Sequence, residues 1–308
     1  MKIFVSGLLN VETTVAVRKF PIEYYPIDYP FFGTHSNVSG VGFNIAKALS
    51  VLDDEVILSS FIGEDSEGER VLRSVSSLGI GLDGIRRSLK ETPTSVVLYD
   101  PQGRRQIYCD LKDIQEQMLD ADTLPACDVA ALCNINFNRD LIKTARSRGI
   151  LTATDVHVLS DIEDEYNRDF LENADILFLS DEALPEAPAD FIRRLYERYH
   201  NRVIVIGMGD KGAMALDGRT QEVTMLSAYP AERIVNTVGA GDALFSSFLH
   251  FYLKGDDVLL ALQKAEVFAA VKIGFNGASV GFADEKTVEE MFAQKRRTMP
   301  IFTNGERP

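Results

Sequence analysis

Short apolar runs alternate with stretches of helical periodicity through most of the chain. Six of the runs have the length and apolar composition of buried strands, at residues 2–6, 56–58, 129–133, 150–154, 175–179 and 202–206. Apolar residues at helical spacing begin near residue 41 and recur at residues 66–77, 138–148, 164–173 and 188–200. This alternation predicts an α/β fold with a mostly parallel central sheet, covered by helices on both faces.

Two segments, residues 11–38 and 94–110, depart from this alternation and are β-rich. Residues 94–99 and 104–109 predict a hairpin around the turn Asp100-Pro101-Gln102-Gly103. Three prolines between Phe20 and Phe32 exclude a helix and a central strand. The aromatic side chains there are expected either to cover a ligand or another subunit, or to pack on the body of the protein. Because the chain has no long linker or internal repeat, residues 1–308 predict one domain that carries a small β-rich elaboration.

The composition narrows the classes of partner. The chain has 308 residues with 32 Lys and Arg against 46 Asp and Glu, a formal net charge of −14. This balance argues against a nucleic-acid or anionic-membrane partner, although a small anion responds to its local site rather than to the net charge. Three cysteines without CxxC spacing favour reduced thiols in a cytoplasmic protein over disulfides or a zinc site. No apolar run is long enough to span a bilayer.

Three glycine clusters are candidates for ligand binding, and the first precedes the helix that begins near residue 41. It contains Gly40, Gly42 and Asn44. Glycines here would allow a ligand to approach the backbone closely, and Asn44 offers a donor and an acceptor to hydroxyl groups. The alternative is a glycine turn in which Asn44 only satisfies the start of the helix.

The second cluster contains Gly207, Gly209, Lys211 and Gly212 and matches the GxGxxG spacing after a predicted strand. A dinucleotide-binding fingerprint requires a helix to follow. Residues 213–218 instead predict a strand closed by an Asp-Gly turn. The sequence therefore excludes the nicotinamide interpretation and leaves a loop that could lie beside a nucleotide base or phosphate.

The third cluster, Gly239-Ala240-Gly241-Asp242, is the most specific. Apolar residues at helical spacing follow it, from Ala243 to Tyr252. The glycines are thus predicted at a helix N-terminus, where free backbone N–H groups and the helix dipole favour an anion. Asp242 would either be an acidic residue of the first turn that interacts favourably with the helix dipole, or accept a proton from a substrate hydroxyl.

In their order and spacing, the three clusters resemble the ribokinase family, also called the PfkB carbohydrate kinases. The resemblance implies a ribokinase-like fold and transfer of the ATP γ-phosphoryl group, with Mg²⁺, to a hydroxyl of a sugar, sugar phosphate or nucleoside. It further implies that Asp242 is the catalytic base and that the amides of Gly239, Ala240 and Gly241 form an anion hole. Residues 11–38 and 94–110 are similar to the family's lid, which in several relatives also forms a homodimer contact.

The remaining site residues follow from the same resemblance. The acceptor would be held by residues near the N-terminus and the first glycine cluster, together with one further asparagine: Asn10, Glu12, Gly40, Gly42, Asn44 and Asn136. The ATP side would be formed by the second glycine cluster and by a wall of the adenine pocket: Gly207, Gly209, Lys211, Gly212, Asn276, Gly277 and Ala278. A sugar-like acceptor, a nucleoside acceptor and an inactive ligand-binding or regulatory member remain as alternatives.

Several positions depart from the family pattern. Glu12 stands where the family usually has Asp, and Asn136 falls near a position where ribokinase-like members have Glu. Asn236 replaces the first Asp of the longer motif, in a region that binds a monovalent cation in some relatives, so potassium dependence is not carried over. The carboxylate that ends the family's Asn-x-x-Glu element is missing, and Asp181 and Glu182 would contact magnesium through water or remain surface acids.

Two further pairs of residues are open to a structural interpretation. Arg104 and Arg105 lie beside the predicted hairpin, where they would either reach a phosphate or remain solvated charges at a strand edge. Asp155 and His157 follow a central strand on the side where α/β sheets bind ligands. For this pair, structural hydrogen bonding is the simpler interpretation.

Overall fold

A sheet with a parallel centre organises the fold, as the strand–helix alternation predicts. The structure is a computed structural model that describes residues 1–295 and 300–303. Within these residues the central sheet has ten strands: β1 (Lys2–Ser6), β4 (Glu55–Gly63), β5 (Ile85–Leu89), β8 (Val129–Leu132), β9 (Leu151–Val158), β10 (Ile176–Ser180), β11 (Val203–Gly207), β12 (Ala213–Asp217), β13 (Glu222–Leu226) and β14 (Ile301–Thr303).

The strand order is β14-β13-β12-β11-β10-β9-β8-β1-β4-β5. The strands from β5 to β11 in this order pair in parallel, whereas β12, β13 and β14 extend the sheet with antiparallel pairings. Since the parallel strands all point the same way, their carboxyl ends form one edge of the sheet. In open α/β sheets this edge is where ligands bind.

Eight helices accompany the sheet in the described part of the chain: α1 (Val41–Val51), α2 (Ser66–Ser76), α3 (Arg139–Ser147), α4 (Arg168–Asn173), α5 (Pro188–Tyr199), α6 (Ala240–Leu253), α7 (Val258–Lys272) and α8 (Glu285–Lys295). Helix α6 is buried on nearly all sides, and the rings of its Phe245 and Phe248 each lie 5.2 Å from the ring of Phe178 in β10. This aromatic packing fixes α6 against the centre of the sheet.

A second sheet, called here the small sheet, is formed by β2 (Asn10–Ala16), β3 (Thr34–Ser39), β6 (Thr94–Tyr99) and β7 (Arg105–Asp110) in the order β3-β2-β6-β7. The predicted hairpin is present, because β6 and β7 pair antiparallel. The small sheet thus coincides with the two segments that the sequence identifies as a β-rich elaboration.

The proline-rich segment between Phe20 and Phe32 has neither helix nor strand, as predicted. Packing on the body was one of the two expectations, and it holds for Phe20, which contacts Arg104, but not for most of the other aromatic side chains. Tyr24, Phe31 and Phe32 are 88%, 85% and 97% exposed. A role as a cover for a ligand or another subunit stays a prediction.

Candidate active site

The candidate site lies at the carboxyl edge of the central sheet, where the start of α6 approaches Asp155 of β9. A Cβ atom placed on Gly241 would lie 3.8 Å from Oδ2 of Asp155, near the end of β9. Asp242, in the first turn of α6, is only 8% exposed. The third glycine cluster therefore does open a helix, and the fold brings its carboxylate to the ligand-binding edge of the sheet.

The turn Gly239–Gly241, called here the anion loop, presents free backbone N–H groups. Gly239 has a φ of 79° and precedes the helix without a side-chain cap. The amides of Gly239 and Gly241 donate no hydrogen bond to any residue that the structure describes, whereas the amide of Ala240 donates to the carbonyl of Thr237 at 3.2 Å. Two of the three predicted anion-hole amides are thus free to bind an anion, and the helix dipole favours one there.

Asn44 of α1 holds the Asp242 carboxylate. Its Nδ2 donates to Oδ2 of Asp242 at 2.7 Å, and its side chain makes no capping hydrogen bond at the start of α1. The alternative in which Asn44 only satisfies its own helix is therefore wrong. Burial raises the pKa of Asp242, and the charge of His157 and the Asn44 hydrogen bond oppose this rise. The environment thus keeps a desolvated carboxylate oriented and able to accept a proton.

Asp155 and His157 form a charged pair beside Asp242. Their side chains are 3.4 Å apart, and the backbone N–H of His157 donates to Oδ1 of Asp155 at 2.8 Å. Although burial opposes the charged imidazole, Asp155 and Asp242 raise the pKa of His157 to about 9. The pair is hydrogen-bonded, as the sequence interpretation expects, and it also lies in the electrostatic surroundings of Asp242.

One face of β2 supplies polar groups next to this cluster. Asn10, Glu12 and Thr14 alternate along the strand and so share a face, and all three are at most 6% exposed. Oδ1 of Asn10 and Oγ1 of Thr14 are buried without a hydrogen-bond partner among the described residues. Burial raises the pKa of Glu12, which accepts a hydrogen bond from Ser39. Unpaired buried acceptors are costly, which favours a hydroxyl-bearing ligand at this face.

Gly40 and Gly42 are required by close backbone packing. A Cβ on Gly40, whose φ is +96°, would lie 2.4 Å from the carbonyl oxygen of Leu8, and a Cβ on Gly42 would lie 2.7 Å from the backbone of Gly7. These contacts bring the start of α1 against the end of β1. The side chain of Asn136 bonds to Gln115 and Arg139 and, among the described residues, to none of the other candidates. A substrate-binding role for these three residues stays a prediction.

The second glycine cluster lies beside the same helix. Gly207 ends β11, and a Cβ there would lie 3.9 Å from the side chain of Leu244 in α6. Strand β12 follows and pairs antiparallel with β11, so the predicted hairpin is present in place of the helix of a dinucleotide-binding fingerprint. A Cβ on Gly209 would meet no atom within 4 Å, so the backbone there is open to a ligand.

Asn276, Gly277 and Ala278 pack directly on the anion loop. Nδ2 of Asn236 donates to Oδ1 of Asn276 at 3.1 Å, which joins the two segments. A Cβ on Gly239 would lie 2.6 Å from the carbonyl oxygen of Ala278. The fold therefore gathers the second and third glycine clusters and the segment 276–278 around the start of α6.

Asp181 and Glu182 follow β10 at the same edge. Oδ2 of Asp181 lies 3.6 Å from Nζ of Lys211, and Oε1 of Glu182 accepts a hydrogen bond of 3.1 Å from Arg105. Arg105 belongs to β7 of the small sheet and also donates to Oγ1 of Thr237 at 3.2 Å. It is therefore not a free edge charge, since it connects the small sheet to the residues around the anion loop.

The carboxylates of Asp181 and Glu182 are the kind of donor that magnesium prefers, and magnesium commonly keeps several waters with one or two protein carboxylates. No group of three or more His, Cys, Asp and Glu side chains able to hold a metal ion occurs within residues 1–295 and 300–303.

All three cysteines are free thiols. In the same residues, every helix is too short or too polar to span a lipid bilayer.

Comparison with known proteins shows the family of this chain. The sequence pattern of the pfkB family carbohydrate kinases matches residues 2–285. Acarbose 7(IV)-phosphotransferase of Actinoplanes sp. is 24% identical over 292 residues, covering 92% of this chain and 95% of the relative. Deoxyribokinase of Salmonella typhi is 26% identical over 302 residues, covering 92% and 95%.

Solved structures agree on the fold. A microbiome-derived acarbose kinase superposes with a TM-score of 0.84 at 24% identity, covering 95% of this chain and 98% of that one. Arabidopsis thaliana ribokinase complexed with ribose and ATP gives a TM-score of 0.76 at 20% identity, covering 94% and 97%. The fold is ribokinase-like, and the chain belongs to the PfkB family of carbohydrate kinases.

Proposed function

We propose that this phosphotransferase moves the γ-phosphoryl group of ATP to a hydroxyl of a small sugar-like acceptor, with Asp242 as general base. One observation carries the proposal. A buried carboxylate lies in the first turn of a helix, next to a glycine turn whose amides at Gly239 and Gly241 have no partner among the described residues. A proton acceptor and an anion-binding turn are thus adjacent, as in-line phosphoryl transfer requires.

In this mechanism Asp242 accepts the proton of the attacking hydroxyl while the anion loop binds the transferring phosphoryl group. Preorganised amides stabilise charge that develops in the transition state and need no reorganisation at that moment. Asn44 orients the Asp242 carboxylate through its hydrogen bond of 2.7 Å. Burial raises the pKa of Asp242, and His157, a partly exposed cation nearby, opposes this rise and so favours the ionised carboxylate.

The polar face of β2 and a neighbouring cavity support binding of the acceptor at the small sheet. The cavity has a volume of about 270 Å³ and is lined by β6 and β7: Thr94, Ser95, Val96, Tyr108, Cys109 and Asp110. Oγ of Ser95 accepts a hydrogen bond from Asn10, and burial raises the pKa of the Cys109 thiol, with smaller contributions from the charges of Asp110 and Glu12. Asn10 and Glu12 would bind acceptor hydroxyls, and the half-exposed ring of Tyr108 offers a stacking surface.

On the ATP side, the open backbone at Gly209, the side chain of Lys211 and the segment 276–278 would contact the nucleotide. Asp181 and Glu182 would hold magnesium through water, and its charge would offset that of the phosphates. The small sheet would act as a lid that excludes water, a competing acceptor. The exposed aromatic residues between Phe20 and Phe32 are the candidate contact of a homodimer, and a cytoplasmic location remains a prediction.

A nucleoside acceptor is the second candidate, because aromatic rings also stack on bases. The names of the relatives include both kinds of acceptor. Arabidopsis ribokinase was solved with ribose, and a nucleoside kinase of Burkholderia thailandensis, with a TM-score of 0.80, was solved with inosine. An inactive ligand-binding member is the third candidate, favoured by the missing carboxylate after Glu182 and opposed by the intact Gly-Ala-Gly-Asp cluster.

An acceptor panel separates the three candidates. The purified protein is incubated with Mg·ATP and a series of monosaccharides, oligosaccharides, sugar phosphates and nucleosides, and ADP release is measured. We expect ADP release above the ATPase background with a neutral sugar, together with a phosphorylated product by mass spectrometry. Turnover only with nucleosides would replace the proposed acceptor, and ligand-induced thermal stabilisation without turnover across the panel would indicate an inactive binding protein.

The Asn44–Asp242 hydrogen bond predicts a pH effect. Asn44 donates to the carboxylate and thereby lowers the pKa of Asp242, so its loss raises that pKa further. At a given acidic pH a larger fraction of Asp242 is then protonated, and the protonated form cannot act as the base. For Asn44→Leu we expect kcat/KM at pH 6 to fall about tenfold or more relative to wild type, with a smaller loss at pH 9.

The matched control is Ser246→Ala. The hydroxyl of Ser246 donates to the backbone carbonyl of Asp242 at 2.6 Å and does not bond to its carboxylate. This variant is expected to keep the wild-type pH dependence of kcat/KM. If kcat/KM of Asn44→Leu decreases at the same acidic pH as that of wild type, Asn44 does not lower the pKa of Asp242.

A further inference from the structure

The last residue of α7, Lys272, is a buried lysine that the mechanism above does not use. Its side chain is 0% exposed, and its ammonium group donates to the backbone carbonyl of Val238. Val238 directly precedes the anion loop. A lysine at a helix C-terminus normally points into water and complements the helix dipole. This one is instead directed inward, beneath the turn that would hold the phosphoryl group.

Lys272 has no ion pair to offset the cost of its burial. No carboxylate of a described residue lies within ion-pairing distance of its ammonium group. The charged groups that act on it lie farther away on three different elements, namely Glu12 on β2, Asp242 on α6 and Arg105 on β7. Burying an ammonium without a paired carboxylate is expensive. Such a group calls for an explanation beyond packing.

A second lysine of the same helix shows the contrast. Lys264 is 8% exposed, and its Nζ lies 2.7 Å from Oδ2 of Asp256 and 2.7 Å from Oε1 of Glu289. Its charge is therefore neutralised within the protein. The charge of Lys272 is directed instead to a carbonyl at the base of the anion loop.

We propose that Lys272 is a positioning residue for phosphoryl transfer. Its ammonium group holds the Val238 carbonyl and thereby fixes the position of the anion loop. Its charge also makes the electrostatic potential at the anion loop more positive. This inference rests on the proposed kinase function. The free amides of Gly239 and Gly241 supply only partial charges. A full positive charge behind them in a low-dielectric interior strengthens the binding of developing negative charge. Lys272 acts through the loop and needs no contact with the substrate.

The proposal has a signature in the pH dependence. Burial lowers the pKa of Lys272 to about 8, although Asp242 and Glu12 partly oppose this effect. Since only the protonated form carries the charge, kcat/KM is expected to fall as the pH rises through the pKa of the ammonium group. His157, which acts on Asp242, has a pKa of about 9, so its loss of charge would also lower kcat/KM at alkaline pH. Variants therefore have to separate the two groups.

The experiment compares Lys272→Met, Lys272→Arg and Lys272→Ala with wild type, using Mg·ATP and the acceptor found in the panel. Methionine keeps a long side chain without the charge, and we expect kcat to fall about tenfold or more with a smaller change in the acceptor KM. In Lys272→Met, the decrease of kcat/KM around the pKa of Lys272 should disappear, and only the decrease around the pKa of His157 should remain. Arginine, which keeps the charge, should retain more activity than methionine.

Lys272→Ala leaves a space lined by the Val238 carbonyl, into which a small monovalent cation can enter. Ammonium or potassium ions, added as chlorides, are expected to restore kcat of this variant at least severalfold while leaving wild type unchanged. Rescue of turnover distinguishes a missing charge from a general loss of folding. It also provides the test if Lys272→Met is poorly folded, because the rescue and the wild-type pH profile do not depend on that variant.

The matched control is Lys264→Met, which removes a buried charge from the same helix. It is expected to lower the thermal unfolding temperature without a selective loss of kcat and without rescue by ammonium. Suppose that wild type is active. An undiminished kcat in folded Lys272→Met, or no rescue of Lys272→Ala, would then overturn the inference and leave the kinase assignment intact. A wild-type protein that transfers no phosphoryl group to any acceptor would overturn the proposed function itself.

Discussion

Replacing Asp242 with asparagine is expected to lower kcat by about 10³-fold or more while leaving the affinity for ATP close to that of wild type. Asparagine has nearly the same size and keeps the position at the start of α6, but its amide cannot accept the proton of the acceptor hydroxyl. Only a catalytic role predicts a loss of this size, because a residue that merely starts the helix is replaced well by asparagine.

The measurement combines steady-state kinetics with ATP titration by calorimetry and thermal unfolding of the same preparation. Asp257→Asn is the control, since Asp257 caps α7 by accepting a hydrogen bond of 2.8 Å from the amide of Leu260. That variant should retain both kcat and stability. Turnover of Asp242→Asn within tenfold of wild type would exclude Asp242 as the general base.

Gly239→Ala is expected to abolish measurable turnover and to lower the free energy of unfolding by about 3 kcal/mol. Gly239 has a φ of +79°, and a Cβ there would lie 2.6 Å from the carbonyl oxygen and 2.9 Å from Cα of Ala278. The methyl group would strain the backbone and also push the anion loop away from the segment 276–278. Both the phosphoryl site and the wall of the nucleotide site would then be displaced.

The control Gly79→Ala isolates backbone strain. Gly79 has a similar φ of +74° at the end of α2, but a Cβ there would meet no atom within 4 Å. It should lose about 1 kcal/mol of stability without a change in kcat. Denaturant unfolding and kinetics on both variants separate the two effects. A Gly239→Ala variant no worse than Gly79→Ala would show that the packing of the anion loop on Ala278 is unimportant.

The fold was predictable because its signals are local. The six predicted strands of the parallel sheet and the helix after the Gly-Ala-Gly-Asp cluster are present, although β4, at Glu55–Gly63, is longer than the predicted 56–58. The hairpin around Asp100 was equally visible, because turn residues separate two β-rich runs. Helix α4, at Arg168–Asn173, is markedly shorter than the predicted 164–173, and strand β5, at Ile85–Leu89, was not predicted.

The interior of the site was less predictable, because its contacts join distant parts of the chain. The Asn44–Asp242 hydrogen bond spans 198 positions, and the periodicity of α7 gives no sign that Lys272 turns inward. By pattern alone, Lys272 is an ordinary basic residue in the last turn of a helix. Such contacts follow from the packing of elements and not from the pattern of any one of them.

Arg105 has a further consequence for how the two substrates influence each other. It belongs to β7 of the small sheet, yet its guanidinium bonds to Thr237 and Glu182 at the edge of the central sheet. A ligand that displaces these bonds changes the energy of holding the small sheet against this edge of the central sheet. If a bound nucleotide displaces these bonds and thereby changes the affinity for the acceptor, thermodynamic linkage requires that the bound acceptor change the affinity for the nucleotide by the same factor. The two substrates would then bind cooperatively through one side chain, without touching each other.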